Sequence, residues 1–369
     1  MTTPSAPSPT PSRSKSQAGR RRYLDMLFRF QSYFGLVIIF VLAILFSPER
    51  DGVNLFLSSR NLLNVLMFAS ETAILAVGMT LVILVGGIDL SVGSVMALIG
   101  VISADLLMNA YSFTLLGIPL TVGHWPAGPI VALCVIVGAG IGFFNGWTAE
   151  RFKVPSFVTT LAMLSIARGL ARVWAGNNSI PIAYDTGSTL SQYSSGSFGD
   201  PLFGLLGSTL PGTSIPIPAL IMIFCAVLFG LILRYTTFGR RIYAVGGNPT
   251  AARLSGIRIG RLRIITFMIC SALAALAGMI HASRLNQGSP NESINYELNA
   301  IAAVVIGGAS LMGGKGTVVG AIGGALILQI LDNILGLNNV SSNVQLIVKG
   351  LLVILAVALQ QLRPTQEAA

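Results

Sequence analysis

The sequence predicts an all-α polytopic membrane protein with about ten transmembrane helices, both termini in the cytoplasm, and one short helix standing off the cytoplasmic face. Three observations predict it. Hydrophobic residues make up 53% of the 369 residues and charged residues only 10%, with a mean hydropathy of +0.77. Soluble domains carry roughly 25% charged residues. Apolar runs near the length that spans a bilayer, about 20 residues, recur along the chain. Lys and Arg collect in alternate gaps between those runs, as they do in cytoplasmic loops. The net charge of +10 therefore reports topology and not a groove for nucleic acid.

Taken in order, residues 1–32 are rich in Pro, Ser, Thr and Arg and read as a disordered basic cytoplasmic tail. Arg20, Arg21 and Arg22 precede the first apolar run, 33–46, in the manner of a signal peptide. Ser47-Pro48-Glu49 makes a poor cleavage site, so the run reads as an uncleaved first span. The remaining spans fall near 67–86, 92–109, 127–148, 156–174, 215–234, 264–283, 299–313, 317–335 and 344–362. A membrane domain over 33–363 and a cytoplasmic tail over 364–369 complete the chain. Threading the spans back and forth places 17 of the 23 Lys and Arg on the side of the N-terminal tail. The stretches 109–126 and 175–214, on the other side, contain no Lys or Arg.

Small residues recur at four-residue spacing within the spans. Gly138, Gly142 and Gly146 form one stripe, Gly316, Gly320 and Gly324 another, and Ala274, Gly278 and Ala282 a third. Such stripes let helix backbones approach closely in lipid. Packing within one chain is the expected use, ahead of a seam between subunits.

The loop 234–263 carries seven arginines and no acid. Asn248 suits a helix N-cap, Pro249 the first helical position, and Gly256 a left-handed stop. The loop thus encodes a capped helix over about 249–255. It reads as a docking element for a cytoplasmic partner, with an amphipathic helix lying on anionic lipid as the alternative.

The polar residues of the spans carry the remaining candidates. GGIDLSVGS at 86–94 interrupts the apolar run, and Asp89 and Ser91 stand there in otherwise uncharged surroundings. An ionisable group at membrane depth is a candidate for function, and Asp89 reads equally as a cap on the helix that follows. Asn145, Thr159 and Thr160 suit binding of solute hydroxyls or hydrogen bonding between helices. Arg168 lies roughly 18 Å along its helix from Ser156 and reads as facing protein or an aqueous path, whereas Arg172 suits snorkelling to the outer surface. Glu297, just before the eighth span on the outer, periplasmic side, suits contact with an external partner or a simple cap on the helix of Asn299. GGASLMGGKG at 307–316 superficially resembles a phosphate loop, but Ala309 stands where the first Gly is needed and Gly316 where Ser or Thr is needed. Any ATP is therefore expected to be hydrolysed on another chain. That loop also weakly echoes GGIDLSVG.

Cys134, Cys225 and Cys270 read as small core residues, and His124 and His281 as remote from any acid cluster, so no metal site or catalytic set is expected. Few acids approach the midplane: Asp89 mainly, with Glu71 and Asp332 placed near span ends. An ion-coupled secondary transporter, the alternative reading, generally uses such groups.

The stretches GGIDLSVGS (86–94), FFNGW and VPSFVTTLAMLSIARGL (within 143–170), TTFGRRIYAVGGNPTAARLSGI (236–257) and SINYELNAIAAVVIGGASLMGGKGTVVGA (293–321) carry a resemblance. The chain resembles the permease subunits of bacterial ATP-binding-cassette (ABC) importers for monosaccharides. The resemblance implies an inner-membrane subunit that pairs with a second permease around a central pathway for a pentose, hexose or cyclic polyol. It implies a periplasmic sugar-binding protein, and a cytoplasmic ATPase that holds the ATP and Mg, leaving this chain with no cofactor. Asn248, Pro249, Ala251, Ala252, Arg253 and Gly256 would then form the coupling element that docks on the ATPase.

Overall fold

The computed structural model describes residues 31–50, 52–115, 118–183 and 200–361. The expected N-terminal tail up to residue 30, the expected C-terminal tail and residues 184–199 lie outside the described residues. In chain order the helices are α1 (Gln31–Leu45), α2 (Ser59–Leu84), α3 (Val92–Met108), α4 (Ala127–Phe152), α5 (Ser156–Trp174), α6 (Pro201–Leu205) and α7 (Ile217–Tyr235). They continue as α8 (Thr237–Gly247), α9 (Pro249–Leu254), α10 (Ile259–Leu285), α11 (Tyr296–Ile306), α12 (Val318–Leu337) and α13 (Ser342–Gln361). The protein is a polytopic all-α membrane protein. Among the described residues six helices, α2, α4, α5, α7, α10 and α12, are long and apolar enough to cross a bilayer, and α1, α3, α11 and α13 contribute shorter apolar stretches.

Each expected run coincides with a helix, but the ends move for identifiable reasons. Helix α2 starts at Ser59 because Ser58 accepts a hydrogen bond from the Asn61 N–H, so helix forms well before the apolar stretch begins. Helix α4 runs to Phe152, where Lys153 closes it in the left-handed conformation. The eighth run, expected over 299–313, is corrected most. Helix α11 ends at Ile306, where Gly307 follows and Gly308 turns left-handed at φ +88°. Its 11 residues reach roughly 16 Å, about half of a bilayer core.

The basic loop holds two helices where one was expected. Thr236 caps α8 by accepting from the Gly239 N–H, and Gly239, Ile242 and Val245 form its buried stripe. That three-residue spacing was the signal available in the sequence.

Helices α2 and α10 form the centre. Helix α2 packs on α7, α10, α11 and α12, while α10 also packs on α3 and α4. The small-residue stripes are seams within this chain. Gly138, Gly142 and Gly146 lie against α10 backbone at Ser271, Phe267 and Ile264, and Gly278 lies against the Met96 carbonyl of α3. Gly320 and Gly324 receive Gly307 and Ala303, but Gly316 precedes α12 and packs on Ala309, so it is not part of a helical stripe. Among the described residues six short strands pair in antiparallel twos: β1 (Glu49–Arg50) with β2 (Val53–Asn54), β3 (Ala110–Leu115) with β4 (Ile118–Gly123), and β5 (Ile180–Pro181) with β6 (Gln287–Gly288). The last pair ties the end of α5 to the turn after α10.

Candidate functional site

The break between α2 and α3 gathers four of the pathway candidates. Gly86, at φ +76°, and Gly87 close α2 through bonds to the Ile83 and Val82 carbonyls. The chain then runs past the first turn of α5, where Ser156 Oγ accepts from the Ile88 N–H at 3.2 Å and Thr160 Oγ1 from the Leu90 N–H at 3.1 Å. Asp89 Oδ1 accepts from the Ser91 N–H at 2.9 Å and from the Ser91 hydroxyl at 2.6 Å. Asn145 on α4 donates to Ser91 Oγ at 3.0 Å. Asp89, Ser91, Asn145 and Thr160 are all fully buried. Asp89 Oδ2 and Asn145 Oδ1 accept no hydrogen bond among the described residues, with the Ser271 hydroxyl close to the carboxylate. In this conformation the cluster holds the loop and offers no face to a solute.

Thr159 and Arg168 lie elsewhere. Thr159 is half-buried and bonds its own helix at the Ser156 carbonyl. Arg168 Nη1 donates to the Pro290 and Glu292 carbonyls at 2.8 and 2.6 Å, clamping the segment between α10 and α11. Glu297, in the first turn of α11, places its carboxylate against Gly93 at the start of α3. The two broken segments therefore meet at the Gly93–Glu297 contact.

A second polar cluster was missed. Glu71 is the thirteenth of the 26 residues of α2, not near a span end as expected, and is fully buried. Nor does His281 stand apart from acids. Its Nδ1–H donates to Glu71 Oε2 at 2.8 Å, and Arg284 Nε donates to Oε1 at 2.7 Å. The Tyr296 hydroxyl adds a third donor at 3.1 Å, and the Arg284 guanidinium lies 4.4 Å over the Phe68 ring. Charge-assisted bonds of this kind offset the desolvation of a carboxylate inside the bundle. The available signal was weak: an acid in mid-run, and His281 and Arg284 three residues apart on one helix face.

The loop 234–263 delivers the coupling candidates to one exposed element. Asn248 Oδ1 accepts from the Ala251 N–H at 3.0 Å, Pro249 opens α9, and Gly256 turns left-handed at φ +81°. Asn248, Pro249, Ala251, Arg253 and Gly256 are exposed, while Ala252 is buried under the helix. Leu254 at the end of α9 is 85% exposed, a bare apolar side chain that the caps around it did not signal. Beneath α9, α8 lies on the bundle. Gly246 abuts the Leu84 carbonyl and Gly314, the Gly314 N–H donates to that same carbonyl at 3.0 Å, and the Tyr243 hydroxyl donates to the Gly316 carbonyl at 2.8 Å. Gly313 in turn sits against the Gly86 nitrogen. The two echoing glycine loops thus touch each other and α8.

Comparison with known proteins gives a consistent answer. Residues 61–357 match the family described as branched-chain amino acid transport system, permease component. The chain is 39% identical to the ribose import permease of Escherichia coli K12 over 345 residues, covering 93% of this chain and 97% of that protein. It is 38% identical to the ribose import permease of Bacillus subtilis, covering 89% and 91%. It is 33% identical to the L-arabinose ABC transporter permease of Azospirillum brasilense, covering 91% and 89%. No solved structure matches the chain.

Proposed function

We propose, for a chain that belongs to the family of branched-chain amino acid transport system permease components, that it is the membrane-spanning subunit of an ABC importer carrying a monosaccharide across the bacterial inner membrane. It is a multi-pass protein of that membrane. Its partners are an ABC ATPase and a substrate-binding protein, and a second permease subunit completes the pathway. ATP and Mg belong to the ATPase; this chain contributes no catalysis and holds no cofactor. The solute is a pentose, a hexose or a cyclic polyol. Ten spans, with both termini and the 234–263 loop in the cytoplasm, account for the distribution of Lys and Arg.

One observation carries the mechanism: α8 joins the exposed α9 to both glycine loops through backbone contacts at Gly246. Backbone-to-backbone contact has no side chain to flex, so displacement of α9 by the ATPase moves the Leu84 carbonyl and Gly314 together. Leu84 leads into the Asp89 loop, and Gly314 into the turn between α11 and α12. Driven from outside the bundle, the starts of α3 and α11 shift against each other at Gly93 and Glu297.

Replacing residues 249–256 with a Gly/Ser linker is expected to leave the protein in the membrane but reduce ATP-driven sugar uptake at least tenfold. Uptake at the normal rate would remove α9 from the coupling path. A second reading, ion-coupled transport without an ATPase, draws on the buried acids Glu71 and Asp89. Solute uptake by the isolated chain in liposomes, driven by a proton or sodium gradient alone, would establish it.

A further inference from the structure

A cavity of about 470 Å³ lies where the end of α4, the end of α9 and the start of α10 meet. We propose that it is a binding site for the phosphate headgroup of an anionic phospholipid. Arg151, Lys153, Arg253, Arg258 and Arg261 line it, and all five are exposed. Among the described residues none of them is paired with a carboxylate. The one acid in the wall, Glu150, is already engaged by Arg263 at 2.9 Å. Five cations without counter-charges repel one another unless an anion sits among them. The size points the same way: ligand pockets run from about 300 to 1,000 Å³, larger than one small ion needs.

The walls distinguish a lipid from a soluble anion. Trp147 lines the cavity, and its ring meets Phe152 edge-on at 5.9 Å and Phe144 at 6.5 Å. All three rings are exposed and step down the last turns of a span. Aromatic side chains in that position belong at the headgroup level of a bilayer. Basic pockets between transmembrane helices are suited to multiply charged headgroups. The site is therefore cationic at its mouth and aromatic along its flank, the polarity of a phospholipid and not of a free phosphate. Five positive charges suit cardiolipin, with two phosphates, better than phosphatidylglycerol, with one. Arg253 belongs to α9, so a bound lipid would also tether that helix to the bundle.

The test uses the full-length chain purified in mild detergent, with cardiolipin, phosphatidylglycerol, phosphatidylcholine or inorganic phosphate added. Retention is read by native mass spectrometry and thermal stability by unfolding. Cardiolipin is expected to be retained at least tenfold more strongly than phosphatidylcholine, with an affinity that falls as salt rises. The variant Arg151→Ala/Lys153→Ala/Arg258→Ala/Arg261→Ala should lose at least tenfold in that affinity. The same four positions changed to Lys where they are Arg should retain it, and Arg60→Ala/Arg172→Ala should be neutral. If the alanine variant does not fold, the single charge reversal Arg258→Glu replaces it, with at least a threefold loss expected. Equal binding of phosphatidylcholine, protection by inorganic phosphate equal to that by cardiolipin, or unchanged cardiolipin affinity in the folded variants would overturn the assignment. So would a variant that keeps its lipid but loses its ATPase on co-purification, which would make the cavity a protein-docking surface.

Discussion

Glu71 shows how much a single residue contributes to holding the bundle. It sits fully buried among three donors from two other elements, His281 and Arg284 on α10 and Tyr296 on α11. Removing one partner of such a buried pair strands the other charge and costs about 3–5 kcal/mol. Glu71→Ala and Arg284→Ala should each lower stability by about that much in denaturant unfolding in detergent, and the double variant by less than their sum. A loss under about 1 kcal/mol for either single variant would mean the cluster is not what locks α2 to α10. Asp89 separates charge from hydrogen bonding. Asp89→Asn keeps the Oδ1 acceptor for Ser91 and should stay folded and transport sugar, whereas Asp89→Ala leaves Ser91 donors unmet at a cost of about 1–3 kcal/mol. A stable Asp89→Asn protein that no longer transports would favour ion coupling.

At the scale of elements, the glycine seams determine how closely helices approach. A Cβ at Gly142 would run into the Phe267 carbonyl and the Met268 Cα of α10, while one at Gly140 would meet nothing within 4 Å. Gly142→Ala should therefore destabilise by about 1–3 kcal/mol. Gly140→Ala, two residues away on the same helix, should be neutral or stabilise by up to about 1 kcal/mol. Thermal unfolding of the pair checks this directly, and equal effects would contradict the packing. The coupling helices obey the same geometry. Gly246→Val would drive a branched side chain into the Leu84 carbonyl and Gly314. It should reduce ATP-driven uptake at least tenfold while the ATPase still co-purifies, because α9 itself is untouched. Loss of ATPase binding and uptake together would instead place Gly246 in the docking surface.

For the whole molecule, the sidedness of the basic loop decides how every contact is used. Cys134, Cys225 and Cys270 are all buried, which leaves a quiet background for thiol labelling. Cysteines introduced at Arg240 and Arg253 should react with a membrane-impermeant maleimide only in inverted vesicles, and one at Thr213 only in right-side-out cells. The opposite pattern would turn the coupling helix away from the ATPase and end the proposed mechanism. The cavity lined by Arg151, Lys153 and Arg258 would then face the outer leaflet.

Local chemistry alone determined much of this protein. Hydropathy located a helix at every expected run, and Asn248, Pro249 and Gly256 marked the ends of α9, because caps and apolar runs act over a few neighbouring residues. Asp89, Ser91, Asn145 and Thr160 could be picked out as unusual polar groups in apolar surroundings. Their meeting at one loop, with Asn145 bonded across 54 positions of chain, was decided by how α3, α4 and α5 pack. The same holds for Glu71 and His281, which lie 210 positions apart. It holds as well for the end of α11, where Gly307 packs against Gly320 of α12. Pairing between distant segments depends on shape and on which buried charge finds which donor, and neither is written in the spacing of residues along the chain.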